Sequence, residues 1–113
     1  ATEMLSAALE LSPIHAGALA ATARIEANRS FDTLIAESVR LYNAGDGQGS
    51  LAAALRALEL RPESDIALNN ICAAHNQLQQ WDQAIQACER ALVLNPQSEL
   101  ARNNLAWARR ERF

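Results

Sequence analysis

The chain has 113 residues, with 10 arginines and no lysine against 13 acidic residues, so its formal net charge is −3 at pH 7. This acidic balance argues against nucleic acid and anionic membrane surfaces as partners, because both require a dominant basic field. Half of the residues are hydrophobic and 4% are aromatic, but no apolar run approaches the length of a membrane span.

Helical periodicity runs along nearly the whole chain, and clusters of glycine, proline and polar residues divide it into about seven predicted helices. No segment has the pattern of a strand, so the predicted fold class is all-α. In chain order, the predicted helices cover residues 1–11, 14–28, 31–44, 50–60, 65–78, 82–94 and 98–112.

Proline, glycine and short polar side chains mark the ends of these helices. Arg61 precedes Pro62 and is therefore disfavoured in the helical region, which predicts that the fourth helix ends at Leu60. The glycine-rich segment 45–49 lacks the Lys-Ser/Thr pair of a phosphate-binding loop, so we expect a flexible turn there. The side chains suited to begin the last three helices are Ser64 or Asp65, Asp82, and Ser98.

A pattern of six residues returns after 34 positions, as Ala-Leu-Glu-Leu-Arg-Pro at 57–62 and Ala-Leu-Val-Leu-Asn-Pro at 91–96. Each copy is followed, after the same gap, by an Asn-Asn pair at 69–70 and 103–104. A fixed period of this length is typical of stacked helical units that bury their apolar faces only against their neighbours. We therefore expect a repeat array that presents a surface, rather than an enzyme with a deep catalytic cavity.

Residues 65–98 resemble the tetratricopeptide repeat, whose unit is a helix-turn-helix of about 34 residues. The positions that carry the resemblance are Leu68, Ile71, Cys72, Ala84, Cys88, Ala91 and Pro96, together with the stretch from Trp81 to Ile85. Trp81 falls on a turn position where the family commonly has an aromatic residue that packs. The resemblance implies a right-handed α-α superhelix, or solenoid, of antiparallel helix pairs that forms a single domain over residues 1–113.

The helix pairs of this domain are not regular along the chain. The expected parts are a partial and irregular segment 1–30, a degenerate repeat 31–64, the best-matching repeat 65–98 and a C-terminal capping helix 99–113. Glu37 stands where the family expects a leucine. Pro13 and Pro62 are 49 residues apart, which leaves room for one extra helix beside a 34-residue unit. We expect a kink or a subdomain boundary between Asn28 and Gly49.

The resemblance also implies a binding groove, because the first helix of each unit lines the concave side of such arrays. The residues that the register places in this groove are Asn69, Asn70, Ala73, Asn76, Gln77, Asn103, Asn104, Trp107 and Arg110. Asn70 and Asn104 resemble the asparagine ladder that holds a peptide backbone in some members, since an amide offers both a donor and an acceptor. Alternatively, these amides tie adjacent helices together. The lysine with which other members grip a C-terminal carboxylate is absent.

Two groups near the C-terminus each have a structural and a functional interpretation. Arg102, Arg109 and Arg110 form either a solvated face or a surface for an acidic partner. Trp107 either anchors a partner, closes the end of the core, or packs against a helix of a longer parent protein.

A metal or thiol site is considered for Cys72, His75 and Cys88. Cys72 and His75 share a helix face, and Cys88 follows in the next helix. Both cysteines occupy core positions, however, where cysteine behaves as a small hydrophobic residue, and no fourth ligand is evident. We therefore predict no metal, no cofactor and no catalytic residue. Two cysteines are also too few for a disulfide scaffold, which favours a reducing compartment and a cytoplasmic location.

The predicted function is a non-enzymatic protein–protein interaction module that binds a peptide or a partner helix in the asparagine-lined groove. Two alternatives remain open at this stage. The chain could be a structural element that forms homo-oligomers through its terminal helices, or it could be the targeting domain of a larger transferase.

Overall fold

The structure is a computed structural model that describes residues 30–112. Contacts divide the chain between Ser30 and Phe31, and the described residues from Phe31 onward belong to one compact unit. Within the described part the chain forms five helices: α1 over residues 30–43, α2 over Gly47–Leu60, α3 over Asp65–Gln77, α4 over Trp81–Leu94 and α5 over Glu99–Arg112. The predicted helices 1–11 and 14–28 lie outside the described residues.

These five helices confirm the all-α prediction for residues 30–112, which contain no strand. Consecutive helices are joined by three or four residues, and such short connections make neighbouring helices antiparallel. α3 packs against α2, α4 and α5, and α4 also packs against α5. The right-handed superhelical twist of the array stays a prediction.

Within the glycine-rich segment 45–49, helix α2 starts three residues earlier than predicted. α2 begins at Gly47 instead of residue 50, because Asp46 caps it by accepting a hydrogen bond from the Gly49 backbone N at 2.9 Å. A Cβ at Gly49 would collide with the capping carboxylate of Asp46, so glycine allows the cap to close. Gly45, with φ of 83°, supplies the left-handed turn that ends α1. Part of the predicted flexible turn is therefore ordered helix.

The later helix ends follow the sequence signals with one exception. Ser64 accepts from the Ala67 backbone N at 3.1 Å, and Ser98 accepts from the Ala101 backbone N at 3.2 Å, so both serines cap their helices as predicted. α4 instead begins at Trp81 with no side-chain cap, and Asp82 lies inside its first turn. The expectation that Asp82 opens this helix is therefore wrong by one residue.

The core is built on small residues that recur with the 34-residue period. Ala57 and Ala91, Ala67 and Ala101, and Ala74 and Ala108 are three pairs of equivalent positions whose members are all fully buried. Alanine at these contacts allows close approach of the helices, while Leu68, Ile71, Ile85 and Leu105 supply most of the larger apolar side chains around them. Because each close contact buries little area, the stability of the unit depends on the sum of many small contacts.

Hydrogen bonds join α1 to the helices that follow it. Ser38 and Ser50 are both buried, and each hydroxyl donates to the backbone carbonyl of the other residue, at 3.0 and 2.8 Å. Gln77 Nε2 donates to the carbonyl oxygen of Tyr42 at 3.0 Å and so joins α3 to the end of α1. These bonds hold α1 beside α3, which creates the groove described next.

Candidate functional site

An open groove of about 270 Å³ lies across α1, α3 and α5, with one residue of α2 at its base. The residues that line it are Ser38, Val39, Tyr42, Ser50, Asn69, Asn70, Ala73, Leu100 and Asn104. All of these side chains are uncharged. The groove is therefore a neutral surface that combines hydroxyl and amide groups with aliphatic side chains.

Four of the nine predicted site residues line this groove, and three of them carry amides. Asn69, Asn70 and Ala73 come from α3, and Asn104 comes from α5. Asn104 Nδ2 donates to Asn69 Oδ1 at 2.9 Å, so the amide row also joins two helices. Asn70 differs from its neighbours, because its Nδ2 is buried and has no acceptor within the described residues. The helix-tying interpretation thus applies to Asn69 and Asn104, and the peptide-binding interpretation stays a prediction.

Asn76 and Gln77 are adjacent to the groove but do not line it. Asn76 is 1% exposed and donates through Nδ2 to the backbone carbonyl of Asn104 at 3.0 Å. Gln77 Nε2 donates a hydrogen bond to the backbone carbonyl of Tyr42. Both amides therefore act as ties between helices, and the register that placed them in the groove does not distinguish them from lining residues.

The three remaining predicted residues are located on α5 and lie outside the groove lining. Asn103 and Arg110 are exposed, and Arg110 Nε lies 3.9 Å from Glu111 Oε1. Trp107 packs against Trp81, with 6.1 Å between the ring centroids and an angle of 58° between the planes. Such a tilted aromatic pair contributes to stability beyond its buried area. This geometry supports a packing role for Trp107 at the α4–α5 contact.

The apolar part of the groove includes Val39, Tyr42 and Leu100, which were not among the predicted site residues. Val39 and Tyr42 precede Ala73 and Asn76 by one 34-residue period, so the same register applied to α1 would have found them. Leu100 lies one helical turn before Asn104 and therefore shares its face. Ser38 and Ser50 precede the core positions Cys72 and Ala84 by one period, so the register does not mark them as groove residues. Their role depends on the contact between α1 and α2.

The two cysteines form a disulfide, which corrects the expectation that they are free core residues. Cys72 in α3 and Cys88 in α4 are bonded, with their Cα atoms 5.4 Å apart, and neither is exposed. Disulfides are typical of oxidising compartments, so the cysteines no longer support the predicted cytoplasmic location. The bond fixes the helix that supplies the groove amides Asn69 and Asn70 to its partner helix.

Two arginines of α5 form ion pairs with acidic residues of α4. Arg109 Nη2 lies 3.2 Å from Glu89 Oε2, and Arg112 Nε lies 3.0 Å from Asp82 Oδ1. Both pairs are largely exposed, so each contributes at most about 1 kcal/mol. Of the three arginines considered for an acidic partner, Arg109 pairs with α4 in this way, while Arg110 lies near Glu111 of its own helix.

Residues 30–112 contain no group of three or more His, Cys, Asp or Glu side chains placed to hold a metal ion. His75 Nδ1 lies 2.7 Å from Gln80 Oε1 and donates a hydrogen bond to it across the α3–α4 turn. No helix in the described part of the chain is long and apolar enough to cross a membrane.

The helix pair α3–α4, which carries the groove amides Asn69 and Asn70, is similar to a known repeat. The family model of the tetratricopeptide repeat matches residues 66–98, which cover α3, α4 and the turn between them. No curated protein matches the chain. Repeats of this family generally mediate interactions between proteins. Residues 66–98, less than a third of the chain, therefore match one tetratricopeptide repeat.

Proposed function

We propose that the chain is a non-enzymatic interaction module that holds a peptide or a partner helix in the groove across α1, α3 and α5. The observation that carries this proposal is the grouping of Asn69, Asn70 and Asn104 beside the small side chain of Ala73. Ala73 leaves space above the helix surface, and the amides supply hydrogen-bonding groups at its edge. The nine lining side chains include no acid, no base and no thiol.

The scaffold around the groove favours recognition by preorganised groups. Asn104 and Asn69 fix each other's amides, Asn76 holds the backbone of α5, and the disulfide from Cys72 holds α3 against α4. A binding surface on helices that are tied in this way loses little conformational entropy when a partner binds. The hydrogen bonds that remove Asn76 from the groove therefore support the function of the groove.

The test is a peptide-array binding experiment with three proteins: the wild type, Asn70→Ala and the matched control Asn103→Ala. Asn103 is the same residue type, but it is exposed and outside the groove. We expect the wild type and the control to bind the same peptides, with Asn70→Ala weaker by about 10-fold, the value of one hydrogen bond. Circular dichroism checks that the three proteins have equal helicity.

Two results would contradict the proposal. Equal losses in Asn70→Ala and Asn103→Ala would place binding outside the groove. Capture of no peptide by the wild type, together with a concentration-dependent dimer in light scattering, would favour the self-associating alternative.

A further inference from the structure

From the groove we infer the chemistry of its occupant, an inference that rests on the proposed function and deepens it. We propose that the groove binds an extended, uncharged segment of a partner protein that places an aliphatic side chain between Val39 and Leu100 and a backbone carbonyl at Asn70. The proposed occupant is thus an extended segment and not a partner helix, and it is neutral and not acidic or basic.

The lining of the groove is neutral. None of the nine residues that line the groove is charged, and its polar groups are hydroxyls and amides only. A charged side chain or a C-terminal carboxylate bound there would lose hydration without gaining an opposite charge. Segments without charge avoid this penalty, so the groove selects against acidic and basic segments alike.

Two aliphatic side chains in the groove lining, Val39 and Leu100, are exposed. Val39 on α1 is 45% exposed and Leu100 on α5 is 68% exposed, and both line the groove from helices other than α3. An aliphatic side chain placed between them would remove apolar surface from water on both. The groove volume, about 270 Å³, is just below the range of pockets for drug-sized ligands, so it suits a short segment.

The side-chain amide of Asn70 carries a hydrogen-bond donor that is not used within the described residues. Asn70 Nδ2 has no acceptor among the described residues, whereas Asn104 Nδ2 donates to Asn69 Oδ1. Asn70 borders the groove, so a carbonyl oxygen of the bound segment is the acceptor assigned to this donor. Extended chains present unpaired backbone carbonyls, whereas the carbonyls inside a helix are already bonded to its own N–H groups. The donor therefore favours an extended occupant.

The experiment uses three pools of peptides with blocked ends, measured by fluorescence anisotropy against the full chain. The first pool has a Ser, Gly and Thr background with Val, Leu or Ile at the centre. The second pool is identical except for Asp, Glu, Lys or Arg at the centre. The third pool consists of lactam-bridged helical peptides with leucines one turn apart. We expect the first pool to bind at least 10-fold more tightly than either of the others.

Variants then locate the contact. Val39→Ser/Leu100→Ser is expected to weaken binding of the first pool by at least 10-fold. The matched control is Val93→Ser/Leu94→Ser, since these residues are 81% and 44% exposed and lie outside the groove lining. The control is expected to bind like the wild type.

The outcomes separate this inference from the proposed function. Tighter binding of the charged or helical pool, or equal effects of the two double variants, would overturn the inference and leave the interaction module intact. A dimer of the wild type that Val39→Ser/Leu100→Ser abolishes would also overturn it, because the occupant would then be a second copy. Binding of no pool would overturn the proposed function and the inference together.

Discussion

The disulfide between Cys72 and Cys88 is expected to make a large contribution to the stability of the repeat. Its two cysteines are 16 positions apart and join α3 to α4, which pack against each other. Both residues are fully buried among alanines and medium-sized apolar side chains. The informative perturbations are reduction of the wild type and the double variant Cys72→Ala/Cys88→Ala.

The magnitude follows from the size of the closed loop. Opening a loop of about 15 residues restores chain entropy to the unfolded state and costs ~3 kcal/mol of stability. Replacing the two sulfur atoms by hydrogen also leaves small voids, which add ~1 kcal/mol in the double variant. Since a domain of this size has a free energy of unfolding of about 5 to 15 kcal/mol, the loss is a large fraction of the total. The corresponding fall in melting temperature is on the order of 15 °C.

The assay is urea unfolding followed by circular dichroism, with and without prior denaturation and reduction in a dithiol. The wild type is expected to lose stability on reduction, whereas the double variant is insensitive to the dithiol and serves as its control. Because neither cysteine is exposed, iodoacetamide is expected to label reduced protein only when it unfolds. The reasoning is refuted if the oxidised and reduced wild type unfold at the same urea concentration, or if native oxidised protein reacts as two free thiols.

Three further predictions concern single side chains. Gln79 has φ of 61° in the α3–α4 turn and is exposed, so Gln79→Gly is expected to stabilise the protein by about 0.5 kcal/mol in chemical denaturation, and a loss of stability would contradict this. Leu68 is 1% exposed, so Leu68→Ala is expected to cost about 3 kcal/mol in the same measurement, and a loss under 1 kcal/mol would refute its core position. The Arg40 guanidinium donates to Glu37 and lowers the pKa of that carboxyl, so the stabilisation is present at neutral pH and lost as pH falls through the lowered pKa. An NMR titration is expected to show this lowered pKa and its return to the ordinary value in Arg40→Gln, and an unchanged pKa in that variant would exclude the ion pair as the cause.

Much of the local structure was predictable because its causes lie within a few residues. Proline after Arg61 and serine at positions 64 and 98 act on the adjacent backbone, and the structure has the helix ends where these residues predict them. The start of α2 was not predictable in the same way. Glycine is a poor helix former, and at Gly49 that propensity is outweighed by a cap whose carboxylate occupies the space of a Cβ.

The candidate groove was predictable only in part. The register placed Asn70 and Asn76 on the same helix, but only one of them lines the groove, because Asn76 is drawn into a hydrogen bond with the backbone of α5. Trp107 had the size and chemistry of a binding anchor, and its contact with Trp81 gives it a packing role. In each case the role of the side chain is set by a contact with a residue more than 20 positions away along the chain. The periodicity of the sequence does not reveal such contacts.

The sequence alone determined the all-α class, the 34-residue period and the alanines at close helix contacts, because these follow from local propensity and from repetition. Only the tertiary structure decided which amides face the groove and which tie helices together. It also decided the state of the cysteines. Composition argued for free thiols, yet the packing of α3 on α4 places Cys72 and Cys88 with their Cα atoms 5.4 Å apart, a separation typical of a disulfide. That distance depends on the helix–helix contact, and residue counts along a chain do not contain it.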